Sequence, residues 1–209
     1  MKKKLEMHNK FMQNREGKAY GIAIKSTPII NGNEDESWCL TPIYKTEIVL
    51  RGEKPTTANF KVLWDENKLY VLAEVNDSTP IIPDLENRYK ESENDSIEIF
   101  IDLFNIKTDV YGQGCTQYRV NLNNQQSGSR ATDLSLMEST VRLTEYGYVV
   151  VVALTFEANF YPRAGKSIGF DLCVNDNMGN GRREGISTWS DDIGEAWRYP
   201  YVFGTIILK

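Results

Sequence analysis

A chain of 209 residues, 41% hydrophobic and 25% charged, can bury a full core, which argues against disorder as its main state. The formal net charge is −5 and the one dense basic run, Lys2 to Lys4, sits at the terminus, so nothing in the charge pattern points to nucleic acid. No stretch has the apolar length of a membrane helix and residues 1–19 lack the apolar middle of a signal peptide; no membrane contact is expected, and a signal for export would lie outside this sequence.

Residues 1–19 read as an N-terminal tail and 20–209 as a single domain. From Tyr20 onward, short strand-like runs alternate with turn residues and helical signals are nearly absent, the pattern of an all-β sandwich or barrel. Gly21 to Lys25 and Thr46 to Leu50 are short strand candidates. The clearest hairpin joins Ala58–Trp64 to Leu69–Asn76 through Asp65-Glu66-Asn67-Lys68, with Phe60, Val62 and Trp64 on one side of the first arm and Leu69, Val71, Ala73 and Val75 on one side of the second. A polar surface loop with Pro80 and Pro83 runs from Asp77 to Asn94.

The next stretch, Asp95 to Asp102, organises the rest. At the two-residue period of a strand, Ile97, Ile99 and Ile101 face one way and Ser96, Glu98, Phe100 and Asp102 the other. A carboxylate in mid-strand must be solvated, hydrogen-bonded or bound to something, because an unpaired buried charge is costly. Glu98 therefore lies on an open sheet face or does a job there. The run Gln117 to Asn123 repeats the pattern: Tyr118, Val120 and Leu122 oppose Gln117, Arg119, Asn121 and Asn123, a row of planar polar groups that is either a solvated face or a hydrogen-bonding surface.

Val141–Leu143 and Tyr148–Phe156 form a second hairpin, and the unbroken apolar run Val149 to Leu154 marks a central strand covered on both faces. Gly169–Asp176, Ile186–Trp189 and Phe203–Leu208 complete the strands. Cys39, Cys115 and Cys173 are too scattered for a disulfide framework, and Cys173, between Leu172 and Val174, reads as a small packed thiol.

The single histidine, His8, lies in the tail, so Ser-His-Asp and Cys-His catalysis and histidine-ligated metals have no basis within the domain. Neither a P-loop nor a dinucleotide fingerprint occurs. Carboxylate chemistry, oxygen-ligated metals and aromatic binding surfaces remain. Glu98 and Asp102 could serve a glycosidase, yet residues four apart on a strand are separated by roughly 13 Å, too far for either common geometry without a partner from another strand. Trp197 falls in the loop-like Gly194 to Pro200, where a large ring either folds onto the core or is presented to a ligand. A flat ring beside Glu, Arg, Asn and Gln suits the CH face and the hydroxyls of a sugar.

Phe60 to Ala73, Asp95 to Asp102, Gln117 to Asn121, then Trp189-Ser190-Asp191 with Trp197-Arg198 and Phe203-Gly204, in that order, resemble the family 9 carbohydrate-binding modules attached to secreted xylanases. The match spans about Tyr20 to Lys209. The resemblance implies an antiparallel, jelly-roll-like β-sandwich with structural calcium, and a slot in which two aromatic rings clamp the terminal sugar of a glucan or xylan chain, often its reducing end. Trp197 matches the second ring, Glu98 and Arg119 match hydrogen-bonding positions, and Asn121 shares the face of Arg119. The family has a Trp shortly before its Asp-Ser-x-Glu motif; here Ser92 holds that spacing and Tyr89 stands in as the first ring. Asp77 and Asp95 are candidate calcium ligands, since loop aspartates supply the hard oxygens that ion prefers. Gly112-Gln113-Gly114-Cys115 occupies a place where relatives can be acidic, which implies the loss of one ion site.

The expected function is that of a non-catalytic, extracellular module that holds an attached plant-cell-wall hydrolase near polysaccharide chain ends. Two other readings stand beside it. One is a haem-binding electron-transfer domain with Met137, Met178 or a lysine as axial ligand; the other is a glycoside hydrolase in its own right.

Overall fold

A computed structural model describes residues 18–83, 91–129 and 132–209. Within them are thirteen strands: β1 (Tyr20–Lys25), β2 (Tyr44–Lys45), β3 (Ile48–Arg51), β4 (Thr57–Trp64), β5 (Lys68–Asn76), β6 (Ser96–Asp102), β7 (Cys115–Asn121), β8 (Gln126–Gly128), β9 (Met137–Thr144), β10 (Gly147–Thr155), β11 (Ser167–Asp176), β12 (Gly185–Thr188) and β13 (Gly204–Leu208). Helix is confined to single 3-10 turns, among them Glu36–Trp38, Glu91–Glu93 and Pro200–Val202. The two expected hairpins form, as β4–β5 and β9–β10.

The strands join in the order β8-β7-β6-β11-β13-β1-β4-β5-β10-β9, with β12 on the side of β11 and β3, and β2 on β4. Most neighbours are antiparallel, but β1 is not: Tyr20 to Ala23 run parallel to β13, and Ile24 and Lys25 then run parallel to β4. The expectation of a wholly antiparallel sandwich is corrected there to a mixed sheet, curled into a nearly closed, barrel-like shape. Side chains bridge the remaining gap between its end strands, because Gln126 Nε2 donates to Ser139 Oγ at 2.8 Å and Asn124 Nδ2 to the Ser139 carbonyl at 3.0 Å.

The interior takes the faces that the two-residue period assigns to it. Phe60, Val62 and Trp64 of β4, Leu69, Val71, Ala73 and Val75 of β5, Ile97, Ile99 and Ile101 of β6, and Phe170, Leu172 and Val174 of β11 form one apolar cluster. Trp38, carried by a 3-10 turn, caps the far side of β4, β5 and β10 over Leu63, Leu72, Val149 and Val151, so the apolar run in β10 is buried on both faces. A smaller cluster of Phe100, Ile186, Ala196, Tyr201, Val202 and Phe203 packs against the outer face of β6 and β11. It lifts the C-terminal loop over that face and makes one wall of a cleft. Cys173 is buried in the same cluster, as its pattern indicates, and all three cysteines are free.

Candidate functional site

The cleft has a volume of about 780 Å³ and is floored by Glu98, Phe100, Gln117, Arg119 and Cys173. Strand register explains the floor. In β6–β7, Glu98 stands opposite Arg119 and Phe100 opposite Gln117; in β6–β11, Glu98 stands opposite Cys173. Far from being solvated, Glu98 is only 3% exposed. Its Oε1 accepts from Arg119 Nε at 3.0 Å, Arg119 Nη2 at 2.8 Å and Asn175 Nδ2 at 2.9 Å, and its Oε2 accepts from Gln117 Nε2 at 2.7 Å. One buried carboxylate thus orders a guanidinium and two amides, and charge-assisted bonds of this kind are the strong ones. Glu98 holds the donors of the floor in place and keeps acceptor capacity on Oε2.

The upper rim is the loop that carries Trp197, built on two buried aspartates. Asp171 of β11 accepts backbone N–H bonds from Leu172, Trp189 and Ser190 on Oδ1 and from Asp191 on Oδ2. Asp191 in turn accepts from Ile193 and Gly194 on Oδ1 and from Ala196 on Oδ2. Burial first, and then the neighbouring Asp191, push Asp171 up to about 7 against the pull of its backbone donors. The Tyr111 hydroxyl donates to the Ala196 carbonyl at 2.7 Å. The loop is pinned at the residue just before the ring it presents: Ala196 is 4% exposed, whereas Trp197 is 59% exposed and lines the cleft.

Glu98, Arg119 and Trp197 therefore come together. Asn121 does not join them: its Oδ1 accepts from the N–H groups of Asn123 and Gln125, its Nδ2 donates to Gln125 Oε1, and it closes the turn into β8. Tyr89 lies outside the described residues, while Ser92, which holds the spacing of the expected ring, lines the cleft. Asp102 is buried at the end of β6, accepts from the N–H groups of Phe104 and Lys107, and does not line the cleft with Glu98. Met137 sits in the main core, Met178 is exposed, and neither lines the cleft. Sequence reasoning missed Asn175 and Arg183, which only the β6–β11 pairing and the loop after β11 bring beside Glu98.

Asp77 and Asp95 meet as a pair and gain Asp176 from the end of β11; the three buried carboxylates have oxygens within 4.8 Å of one another. Asp95 accepts from the N–H groups of Asn177 and Ile81, and Asp77 Oδ1 from that of Thr79. Asp77 Oδ2 and the nearby Tyr148 hydroxyl are buried without a hydrogen-bond partner. Burial, reinforced by the neighbouring carboxylates, pushes Asp95 up to about 7 and raises Asp77. Crowded buried carboxylates are unfavourable unless protonated or neutralised by a cation, and an all-oxygen set with an orphaned atom fits a hard cation such as calcium. The cluster is tied to the cleft: Asn177 Nδ2 donates to the Glu93 carbonyl, and the Arg183 N–H donates to Glu93 Oε2.

A family model described as "Carbohydrate family 9 binding domain-like" matches residues 30–209. The chain is 39% identical over 190 residues to an endo-1,4-beta-xylanase A of Thermoanaerobacterium saccharolyticum, covering 89% of this chain and 16% of that protein. It is 40% identical over 196 residues to an endo-1,4-beta-xylanase A of Thermotoga maritima, covering 92% and 18%. It thus spans under a fifth of the length of these curated relatives. A solved carbohydrate binding module of family 9 from Caldicellulosiruptor kristjanssonii, in complex with cellotriose, superposes with a TM-score of 0.84 at 30% identity, covering 91% of this chain and 94% of that one. The same module in complex with glucose gives 0.82, also at 30% identity, over 92% and 96%. From the matched strand framework and the family match over most of its length, the chain belongs to the carbohydrate family 9 binding domain-like family, whose members are non-catalytic binding modules.

Proposed function

We propose that the cleft captures the end of a glucan or xylan chain, with the terminal sugar stacked on Trp197 and hydrogen-bonded to Arg119, Gln117 and Glu98. The observation that carries this reading is the open Trp197 ring standing over a floor whose donors are already oriented by a buried carboxylate. A preorganised floor and a rigid ring lose little entropy on binding. The cleft has the volume of an ordinary ligand pocket, which favours one or two sugar residues over a long strand. The cellotriose and glucose complexes of the related module, and the xylanase relatives, support the same class of ligand.

In this reading Asp77, Asp95 and Asp176 hold a structural calcium ion. The module belongs to a longer extracellular plant-cell-wall hydrolase and raises that enzyme's local concentration at polymer ends. Calorimetry with cellobiose and xylobiose tests the ligand class. The borohydride-reduced alditols test the end: they are expected to bind poorly, and equal binding of an alditol would refute reducing-end recognition.

A further inference from the structure

The charges of the cleft do not all pair off. Among the described residues, Arg119 answers Glu98, Lys18 answers Asp192, and both Asp191 oxygens are taken by backbone N–H groups of its own loop. Arg51 and Arg183 are left over, and both line the cleft. Arg183 Nη1 donates to Asn175 Oδ1 at 2.7 Å. Of the carboxylates beside it, Glu93 Oε2 accepts from its backbone N–H at 3.0 Å, and Glu98 Oε1 stands 4.0 Å from its guanidinium and already receives three shorter bonds. Arg183 Nε is buried with no hydrogen-bond partner. Arg51 donates one bond, at 3.3 Å, to the carbonyl oxygen of Arg183 itself.

Two guanidiniums lining one cleft with spare donors are an unneeded cost for a site that reads neutral hydroxyls alone, because amides make those bonds without adding charge. They match a planar anion, which a guanidinium fork recognises through paired N–H bonds. Resting on the carbohydrate reading above, we infer that the cleft prefers a saccharide whose terminal residue carries a carboxylate, held by Arg183 and Arg51 while Trp197 stacks on the ring. That carboxylate has two chemical sources: the C6 group of a uronic acid, whose own ring stacks on Trp197, or the oxidised C1 group of an aldonic acid, which is open-chain, so that the stacked ring is that of the adjoining sugar.

Calorimetry at pH 7 and low salt with two matched pairs, glucose against glucuronate and cellobiose against cellobionate, separates them. In at least one pair the acid is expected to bind about tenfold tighter than its neutral counterpart, equivalent to about 1.4 kcal/mol, near the worth of one charge-assisted hydrogen bond. The first pair identifies a uronate and the second an aldonate. The acid-to-neutral ratio is expected to fall towards one in Arg183→Gln, in Arg51→Gln and at high salt, and to survive in part in Arg183→Lys, which keeps the charge and loses the fork. Ratios near one for both pairs, with the neutral sugars still bound, overturn this inference and leave the carbohydrate reading standing. A preference unchanged in both glutamine variants overturns the assignment to these arginines. Failure of all four ligands to bind overturns both readings.

Discussion

Replacing Trp197 by alanine separates ligand stacking from fold stability, because the ring is presented by a rigid loop and packs on little of it. Of the roughly 250 Å² that a tryptophan can bury, 59% exposure leaves about 150 Å² open. A sugar lying on one face covers about half of that. At ~25 cal/mol per Å², some 75 Å² of apolar contact is worth ~2 kcal/mol, or about thirtyfold in Kd. Calorimetry with cellobiose should show Trp197→Ala weakened by about that factor and Trp197→Phe, with a smaller ring, by under tenfold. The melting temperature should move by no more than about 2 °C, since exposed substitutions seldom exceed ~0.5 kcal/mol. Unchanged affinity in Trp197→Ala would refute the stacking site. A loss of affinity accompanied by a fall of many degrees would show that the ring supports the loop instead.

Chelation should lower the melting temperature and calcium should restore it: at about 100 times Kd a bound ion contributes ~2.7 kcal/mol, or roughly 5–10 °C for a chain of this size. Calorimetric scans should show that Asp176→Ala erases this calcium-dependent gain. In saturating calcium, stability should fall as pH rises from about 4 to 7. The Asp171 carboxyl, pushed up to about 7 in the folded chain, keeps there a proton that the unfolded chain, at the ordinary 3.8, has released. The slope is at most ~1.4 kcal/mol per pH unit, urea titrations should record it, and Asp171→Asn should flatten it. Gly147→Ala should cost at least ~2 kcal/mol in the same assay, because Gly147 has a φ of +139° and an added Cβ would stand 2.1 Å from the Val75 carbonyl oxygen.

Alternation alone placed the core. Ile97, Ile99 and Ile101 and one face of the β4–β5 hairpin line the main core as the two-residue period assigns, while Leu63, Tyr70 and Leu72 on the hairpin's other face are buried as well, in the cluster with Trp38. The reverse face of β6 was harder to read, because its polar residues are covered by a loop that only the tertiary fold delivers; all seven residues of β6 are buried. Trp197 was visible as a large ring among loop residues. Asp176 was not, since at the end of an apolar strand it resembles any strand-ending aspartate, and only the pairing of Asn175 with Ser96 sets it near Asp95. Asn121 misled because it continues the polar row of β7. The Asn-rich run behind it, with Asn124 at a φ of 56°, was the sign of a turn that claims its side chain. The parallel pairing of β1 left no trace, because a six-residue strand carries no mark of its partner's direction.

That first strand also sets a timetable. Among the described residues β1 is the backbone link between the two halves of the sheet, and four of its six residues pair with β13, the last strand of the chain. Hairpins β4–β5 and β9–β10 close over short loops and can form early, whereas β1 must wait for the C-terminal strand, and contacts so distant in sequence are slow to form. Pulse-labelled hydrogen exchange should find the amides of β5 and β10 protected before those of β1 and β13. The Asp171 loop, the Glu98–Asn175 bond and Asp176 all depend on β11, which neighbours β13. A newly made chain therefore completes the cleft only once this segment has been made.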